Sequence, residues 1–544
     1  MILIYDFTYF ANNGVLENFL TDIAKDMEHY ITKEGDNISL YVQGGEEELK
    51  NFSDTLSNAL PFSLFLKEVN VRAGEQWESS KAINIPECKV TLPFTQKALQ
   101  SALTAFDPFT KNEIGLNPDI YAPLNFESKN ERKKYDDNFK DAFVKAAQSV
   151  AQGGRLNIKT KNGYFGVSKI EDKSYENFSV MLTDLSAASK IAVLKNSEIS
   201  ALASLEKPLI KTHTNLIFAS NHTNFPRFFD ITLANDLFLY LLGVALFEEG
   251  VEFVVLEEKH SEPDAVLYFE QEVKAHAPFQ ICALDNGQNI ILKGTTFTAP
   301  ELLNSLKQLK NPRHMQFVAT MRELELFDEA NCGAYLSLKN DDMIMFYSDK
   351  AGVLDMVNIT YEHSLKEMLD NIANEDETGS RLIKNYTEKF PLIMERAKNI
   401  SLENGANNIA NLWSIAAFIM GLGEDLQSAQ ERLFENIETF GGQKGPRVDY
   451  KLADEKSVKT NLNAHKFIRS VMSFRLADVD EGLLSYGIAE SLVYFLSDFA
   501  DKVKENFEVK NILLMGSLFG SKTISNLCVK HIGARFNKEL PIEL

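Results

Sequence analysis

The sequence predicts a multidomain protein built from α/β and α+β units, and three observations carry that prediction. At 544 residues the chain is long enough for about three or four domains. Residues 1–72 alternate short strands with amphipathic helices in a small α+β pattern. Residues 177–212 run strand, helix, helix, strand, as a layered α/β sheet requires.

Taken in order, residues 2–5 read as a strand and 15–30 as an amphipathic helix. A strand at 38–43 ends at Gly44-Gly45, helix 46–60 follows, and strand 64–71 closes the small sheet. Residues 73–140 are rich in polar and charged side chains, 128–137 above all, and read as a connector. Helix 139–152 ends on Gly153-Gly154, because glycine takes the left-handed C-cap without strain, and strand 155–160 follows. The apolar run 178–181 is a buried strand. Asp184 then sits at an N-cap, where a carboxylate satisfies free backbone N–H groups of a helix reaching about residue 193. Ser197 and Glu198 open a second helix, 199–204. Lys207-Pro208 ends it before strand 209–210. Helix 235–249 is apolar almost all round and therefore buried, and Gly250 stops it ahead of strand 251–256. Strand 511–515 runs into Gly516-Ser517-Leu518-Phe519-Gly520-Ser521.

Composition narrows the function classes. A net charge of −21 argues against nucleic-acid binding, which needs a basic face for the phosphate backbone. The four cysteines, Cys88, Cys282, Cys332 and Cys528, are scattered singly, which suits a reducing compartment. The longest apolar runs, 237–247 and 412–422, are too short to span a bilayer, so membrane insertion is not expected. The first ten residues carry no basic stretch of the kind that opens a signal peptide, and a cytoplasmic protein is expected.

One stretch has a specific wording. It reads Glu176-Asn177-Phe178-Ser179-Val180-Met181-Leu182-Thr183-Asp184, then Glu198, Leu202-Ala203-Ser204 and Lys207-Pro208-Leu209-Ile210. This resembles the YrdC-like domain of the HypF-type hydrogenase-maturation carbamoyltransferases. Residues 38–72 resemble the acylphosphatase-like domain that opens that family, and 276–544 its TsaD-like half. The resemblance implies four segments. They are an acylphosphatase-like, ferredoxin-type α+β domain at 1–72 and a connector replacing the zinc-finger region at 73–140. A YrdC-like α/β domain at 141–275 and a TsaD-like, two-lobed actin-like ATPase domain at 276–544 complete the chain. It also implies a chemistry, in which a carbamoyl group passes from carbamoyl phosphate through carbamoyl-adenylate to a partner's cysteine. The implied partners are hydrogenase or hydrogenase-maturation proteins, and the implied cofactor is ATP.

Against that chemistry the matching residues depart repeatedly. An acylphosphatase loop needs backbone N–H groups and an arginine around the acyl phosphate. The matching loop is Asn12-Asn13-Gly14-Val15-Leu16-Glu17-Asn18-Phe19, with Glu17 or a neighbour at the arginine position, and no water-orienting asparagine is evident in 31–35. Zinc is not expected, because 73–140 holds Cys88 alone and a thiolate zinc site takes four ligands. In the YrdC-like part Lys159 matches a phosphate-binding lysine, although a solvated strand-end lysine explains it with less assumed. The basic cluster beyond it has become Glu171-Asp172-Lys173-Ser174-Tyr175-Glu176. The ATP-cradling turn has become Glu257-Glu258-Lys259-His260-Ser261-Glu262-Pro263. Each carboxylate there would cost a triphosphate up to ~4 kcal/mol at ~4 Å and an effective dielectric of ~20, more than one exposed lysine returns.

In the TsaD-like part Asp285 and Asn286 lie in a polar turn, within 279–289, that matches one facing nucleotide phosphates. His314 has no second histidine at ligand spacing, so no metal is expected on it. Asp341-Asp342 and Asp349 either mimic an acidic phosphate turn or, for Asn340-Asp341-Asp342, form a hairpin tip. The helix 410–422 keeps the family's apolar face but carries Asn411 and Ser414 at its Arg and Asp positions. Gly516, Ser517 and Gly520 match a turn where glycine lets the backbone approach a nucleotide. The Gly-rich loop 440–446 has no strand before it, which weakens a phosphate-loop reading.

The cofactor-binding candidates are therefore Lys159, Asp285, Asn286, Gly516, Ser517 and Gly520, with no catalytic residue and no metal ligand. The reading that fits is a catalytically degenerate HypF-like protein acting through binding or assembly. The alternative is an active, diverged ATP-dependent carbamoyltransferase holding nucleotide at Lys159 or the 516–520 turn. An unrelated multidomain α/β binding protein is the third.

Overall fold

The structure, a computed structural model, describes residues 1–85, 123–136, 139–160, 163–270, 278–307, 312–403, 405–457 and 459–544. Cys88 and most of the expected connector lie outside these residues. The chain forms two compact units, Met1–Lys307 and Gln308–Leu544.

The first unit opens with a four-stranded antiparallel sheet in the order Glu28–Glu34, Asn37–Gln43, Ile2–Tyr9, Leu66–Gly74. Helices Val15–Ala24 and Glu46–Ala59 complete a β-α-β-β-α-β ferredoxin-type module. The period-2 alternation sends Tyr5, Phe7, Ile38, Leu40 and Val42 into its core. The helix expected over 15–30 stops at Ala24, and Glu28–Glu34 is a strand. Aromatic and β-branched Tyr30, Ile31 and Thr32 pack better on a pleated surface than in a helix, and Tyr30 stacks on Tyr41 at 4.4 Å.

An eleven-stranded sheet follows. Its order is Asn289–Lys293, Gln280–Ala283, Leu209–His213, Phe228–Leu233, Ser179–Leu182, Phe253–Glu257, Gly163–Ser168, Leu156–Thr160, Ala265–Phe269, Leu124–Ser128, Arg132–Tyr135. Ser179–Leu182 is its fifth strand, parallel to Phe228–Leu233 and antiparallel to Phe253–Glu257. Asp184 caps its segment as expected, accepting a hydrogen bond from the Ser186 N–H at 2.8 Å, but the next helix, Asn196–Ala203, starts on Lys195 rather than Ser197, and Glu198 accepts the Lys195 N–H at 2.8 Å. Helix Leu237–Glu248 is buried on nearly all sides and starts on Asp236, which caps the Leu239 N–H at 2.7 Å.

Two placements differ from the sequence reading. Strands Leu124–Ser128 and Arg132–Tyr135, in the stretch read as connector, extend this sheet. Strand Gln280–Ala283, read as the opening of the last domain, pairs parallel with Leu209–His213 and belongs to the first unit. Its apolar residues give no clue to which sheet they join; that is a long-range pairing.

The second unit holds a five-stranded sheet in the order Thr460–Asn461, Gly352–Asn358, Met343–Ser348, Asn331–Tyr335, Asn511–Met515. Helix Ile409–Met420 is buried almost throughout, and its Trp413 Nε1–H donates to Tyr450 Oη at 2.7 Å. Helix Glu481–Phe507 carries Gly487 where the 440–446 loop crosses it. A Cβ on Gly445 would fall 2.3 Å from Gly487 Cα, so Gly445 serves close packing. Among the described residues no helix is long and apolar enough to cross a membrane.

Candidate functional site

Lys159 lies near the end of strand Leu156–Thr160, opposite Tyr164 of the next strand. It is buried rather than solvated, and its ammonium sits 5.6 Å from the ring centroids of both Tyr164 and Phe269. The faces of two rings thus replace part of its hydration.

Around the neighbouring turn the charges neutralise one another. Lys173 Nζ is 3.2 Å from Glu171 and 3.8 Å from Glu257, and it lies over the Tyr175 ring at 4.7 Å. His260 Nδ1 approaches Glu257 at 3.9 Å; burial pushes the imidazole pKa down although Glu257 opposes it. The turn is pinned by Asn157, which donates to the His260 carbonyl and accepts from the His260 N–H, each at 2.8 Å. A polyphosphate arriving here meets Lys173 already paired with two carboxylates.

The loop that matches an acyl-phosphate cradle is filled from within. Glu17 is buried and takes the Lys33 ammonium at 2.7 Å. Asn13 accepts the Val15 N–H at 3.1 Å and donates to the Phe297 carbonyl at 3.0 Å.

Asp285 and Asn286 form the tight turn between Gln280–Ala283 and Asn289–Lys293. Asp285 pairs with Lys195 at 2.7 Å on the surface, and Asn286 Oδ1 accepts the Gln288 N–H at 3.0 Å. They lie in the first unit and the Gly516 turn in the second.

The Gly516 turn has the most developed polar geometry. Gly516 adopts φ 99°, and a Cβ there would lie 2.1 Å from the Leu336 carbonyl oxygen, so the turn touches the 335–342 connection backbone to backbone. Four donors from the two segments converge on the carboxylate of Glu543. Tyr335 Oη donates at 2.8 Å, Ser337 Oγ at 2.7 Å and Asn340 Nδ2 at 2.7 Å, all to Oε1. The Ser517 N–H donates to Oε2 at 2.8 Å. Burial acts to raise the Glu543 pKa, but the donors from Ser517, Ser337 and Tyr335 outweigh it and hold the carboxyl below its ordinary value. The phenol of Tyr335 is pushed up by burial and by that same carboxylate. Gly520 ends the short turn Ser517–Gly520.

Asp342 is fully buried and accepts the Ser337 and Ile409 N–H groups at 2.6 Å each; burial pushes its carboxyl well up. Asn340-Asp341-Asp342 lie in the connection between the antiparallel strands Asn331–Tyr335 and Met343–Ser348, as the hairpin reading expects, and Asp342 also fastens that connection to the start of helix Ile409–Met420. His314 Nε2 meets Asp355 Oδ1 at 2.8 Å, and the described residues contain no group of three or more metal-ligating side chains. Glu543 is the residue that sequence reasoning missed. The stretch 541–544 carries no motif, and the bonds Glu543 takes from Tyr335, Ser337 and Asn340 span more than two hundred residues.

Comparison with known proteins agrees with this architecture. The class is that of mixed α/β multidomain proteins with the fold of full-length HypF, comprising acylphosphatase-like, YrdC-like and TsaD-like domains. The crystal structure of full-length HypF in its phosphate- and nucleotide-bound form superposes with a TM-score of 0.63. It is 13% identical and covers 100% of this chain and 96% of that one. HypF of T. kodakarensis gives a TM-score of 0.63 at 12% identity, covering 100% and 97%. In sequence, the chain is 26% identical over 523 residues to Protein HydE of Wolinella succinogenes, 92% of each protein. No protein-family model matches the chain.

Proposed function

We propose that this protein is a HypF-like factor of hydrogenase maturation that acts by binding or assembly rather than by ATP-dependent carbamoyl transfer. Its partners are hydrogenase or hydrogenase-maturation proteins. The domain scheme of 1–72, 73–140, 141–275 and 276–544 belongs to the same proposal, with strand Gln280–Ala283 counted in the middle domain's sheet. The observation that carries the reading is Glu543: a carboxylate of the chain itself occupies the donors of the turn matched to a nucleotide site. The Glu171–Lys173–Glu257 pairing and the Glu17–Lys33 pair support it, because each places a carboxylate where a phosphate would need a free cation.

The purified protein is expected neither to hydrolyse carbamoyl phosphate nor to exchange ATP with pyrophosphate; either activity would refute the reading. Affinity capture from its own cells, with bound proteins identified by mass, is expected to return a hydrogenase or a maturation factor. The competing reading, an active diverged carbamoyltransferase, draws on Lys159, a buried cation on a strand end. ATP at 100 times its dissociation constant would then stabilise the protein by about 2.7 kcal/mol. No shift in melting temperature is expected.

A further inference from the structure

We propose that strand Leu66–Gly74 is a self-pairing edge, along which a second copy of this chain joins the four-stranded sheet antiparallel about a two-fold axis at Asn70. This surface lies outside the turns matched to nucleotide, and its pairing is independent of the proposed function.

The strand is bare on its outer side and on the helix-side face. It ends its sheet, paired to Ile2–Tyr9 on one side and, among the described residues, to no strand on the other. Every residue from Lys67 to Ala73 is exposed. Val69 and Val71 lie opposite Phe7 and Tyr5, so they share the face on which the core is built. Yet Val69 is 39% and Val71 56% exposed, while Phe7 and Tyr5 are buried. The helix layer stops short of this last strand. A nine-residue edge with apolar side chains and no proline is a template for another strand. The register shift against Ile2–Tyr9 falls at the strand's start, and pairing is regular from Glu68 to Gly74.

The residues of the strand select its own copy as the occupant. Set antiparallel about Asn70, Glu68 of each copy faces Arg72 of the other, and Val69 of each faces Val71 of the other. Two opposite-charge pairs and two β-branched pairs form together, each on its own face of the sheet. Moving the axis to Val69 or to Val71 puts Glu68 opposite Asn70 or Gly74 and loses both charge pairs. A slip of one residue sets the helix-side face of one copy beside the opposite face of the other. Arg72 takes Asp6 at 2.6 Å, and Asn70 Nδ2 donates to Glu68 at 3.1 Å, so both charges are held beside the axis. Because one edge meets itself, the pairing closes at two copies and joins the two four-stranded sheets into one. A single pair of edge strands buries less than the roughly 1,200 Å² of a standard stable interface, so the dimer dissociates reversibly, in the micromolar range or above.

Sedimentation equilibrium of the full chain, from about 1 to 300 μM, reads the association. A reversible monomer–dimer equilibrium is expected. E68R sets like charges opposite each other and is expected to weaken dimerisation at least about tenfold. E68R/R72E exchanges the two signs and is expected to return it to within about threefold of the parent. An equimolar mixture of E68R and R72E is expected to form dimers that neither forms alone. V71K removes the apolar pairs and is expected to weaken dimerisation as well. A chain that stays monomeric throughout that range, a main product larger than a dimer, or a dimer that E68R and V71K leave intact overturns the proposal. So does a folded E68R/R72E that dimerises no better than E68R. If R72E does not fold, because its carboxylate faces Asp6, E68R and V71K decide by themselves, with melting temperatures showing that both are folded.

Discussion

The His465–Glu362 pair shows how single residues in this chain trade solvation for partners. His465 Nε2 lies 2.6 Å from Glu362 Oε1, and Asn371 donates to that same oxygen at 3.0 Å. Burial acts to raise the Glu362 pKa, but these bonds overcome it and pull the carboxyl down to about 2. The bond to Glu362 raises His465 against the opposing effect of burial. Glu362 thus contributes stability that is present above its ordinary pKa of 4.5 and is lost as pH falls toward about 2. His465 contributes below its ordinary value of 6.5, and that part fades as pH rises through its raised folded pKa. E362Q is expected to cost about 1–2 kcal/mol near pH 6, the range for a partly solvated charged hydrogen bond. It should also flatten the loss of stability between about pH 4.5 and 2. Denaturant melts across pH measure both. At Gly516 the expected effect is larger: G516A forces a side chain into a glycine-only backbone conformation, against the Leu336 carbonyl 2.1 Å away. A loss of at least ~3 kcal/mol is expected in the same melts.

Among the elements, helix Ile409–Met420 depends on its first residue more than its apolar length suggests. Asn408 is fully buried; its Oδ1 caps the Asn411 N–H at 2.7 Å and its Nδ2 donates to the Asn340 carbonyl at 3.0 Å. N408A removes a cap worth ~1 kcal/mol and leaves a carbonyl short of a partner, so a loss of about 2–3 kcal/mol by thermal melting is expected. Elements were legible where local chemistry decides them. Asp184 as a cap, Gly250 as a stop and the all-apolar 235–249 helix follow from patterns a few residues long. The strand Glu28–Glu34 was not, because its pairing with Asn37–Gln43 overrides an amphipathic period that suits a helix equally well.

At the scale of the molecule, each unit has its own buried core, which in the first unit lines both faces of the long sheet. A fragment spanning Met1–Lys307 is therefore expected to unfold cooperatively by itself, with Gln280–Ala283 protected from hydrogen exchange as an internal strand. A fragment cut at 275 removes that strand and its neighbour Asn289–Lys293, exposing the edge of Leu209–His213. It should aggregate or melt lower, as light scattering and calorimetry would show.

By itself the sequence determined the fold class, the Asp184 cap and the Gly250 stop, and the change of charge where phosphate-gripping residues are expected. Those depend on residue type and short spacing, which a linear string records. Tertiary structure alone decided that Lys159 rests between two aromatic rings, that Asp285 sits in an edge hairpin of the first unit, and that Glu543 fills the Gly516 turn. In the last case partners more than two hundred residues apart meet only because strands Asn331–Tyr335 and Asn511–Met515 pair in parallel, bringing their following turns together.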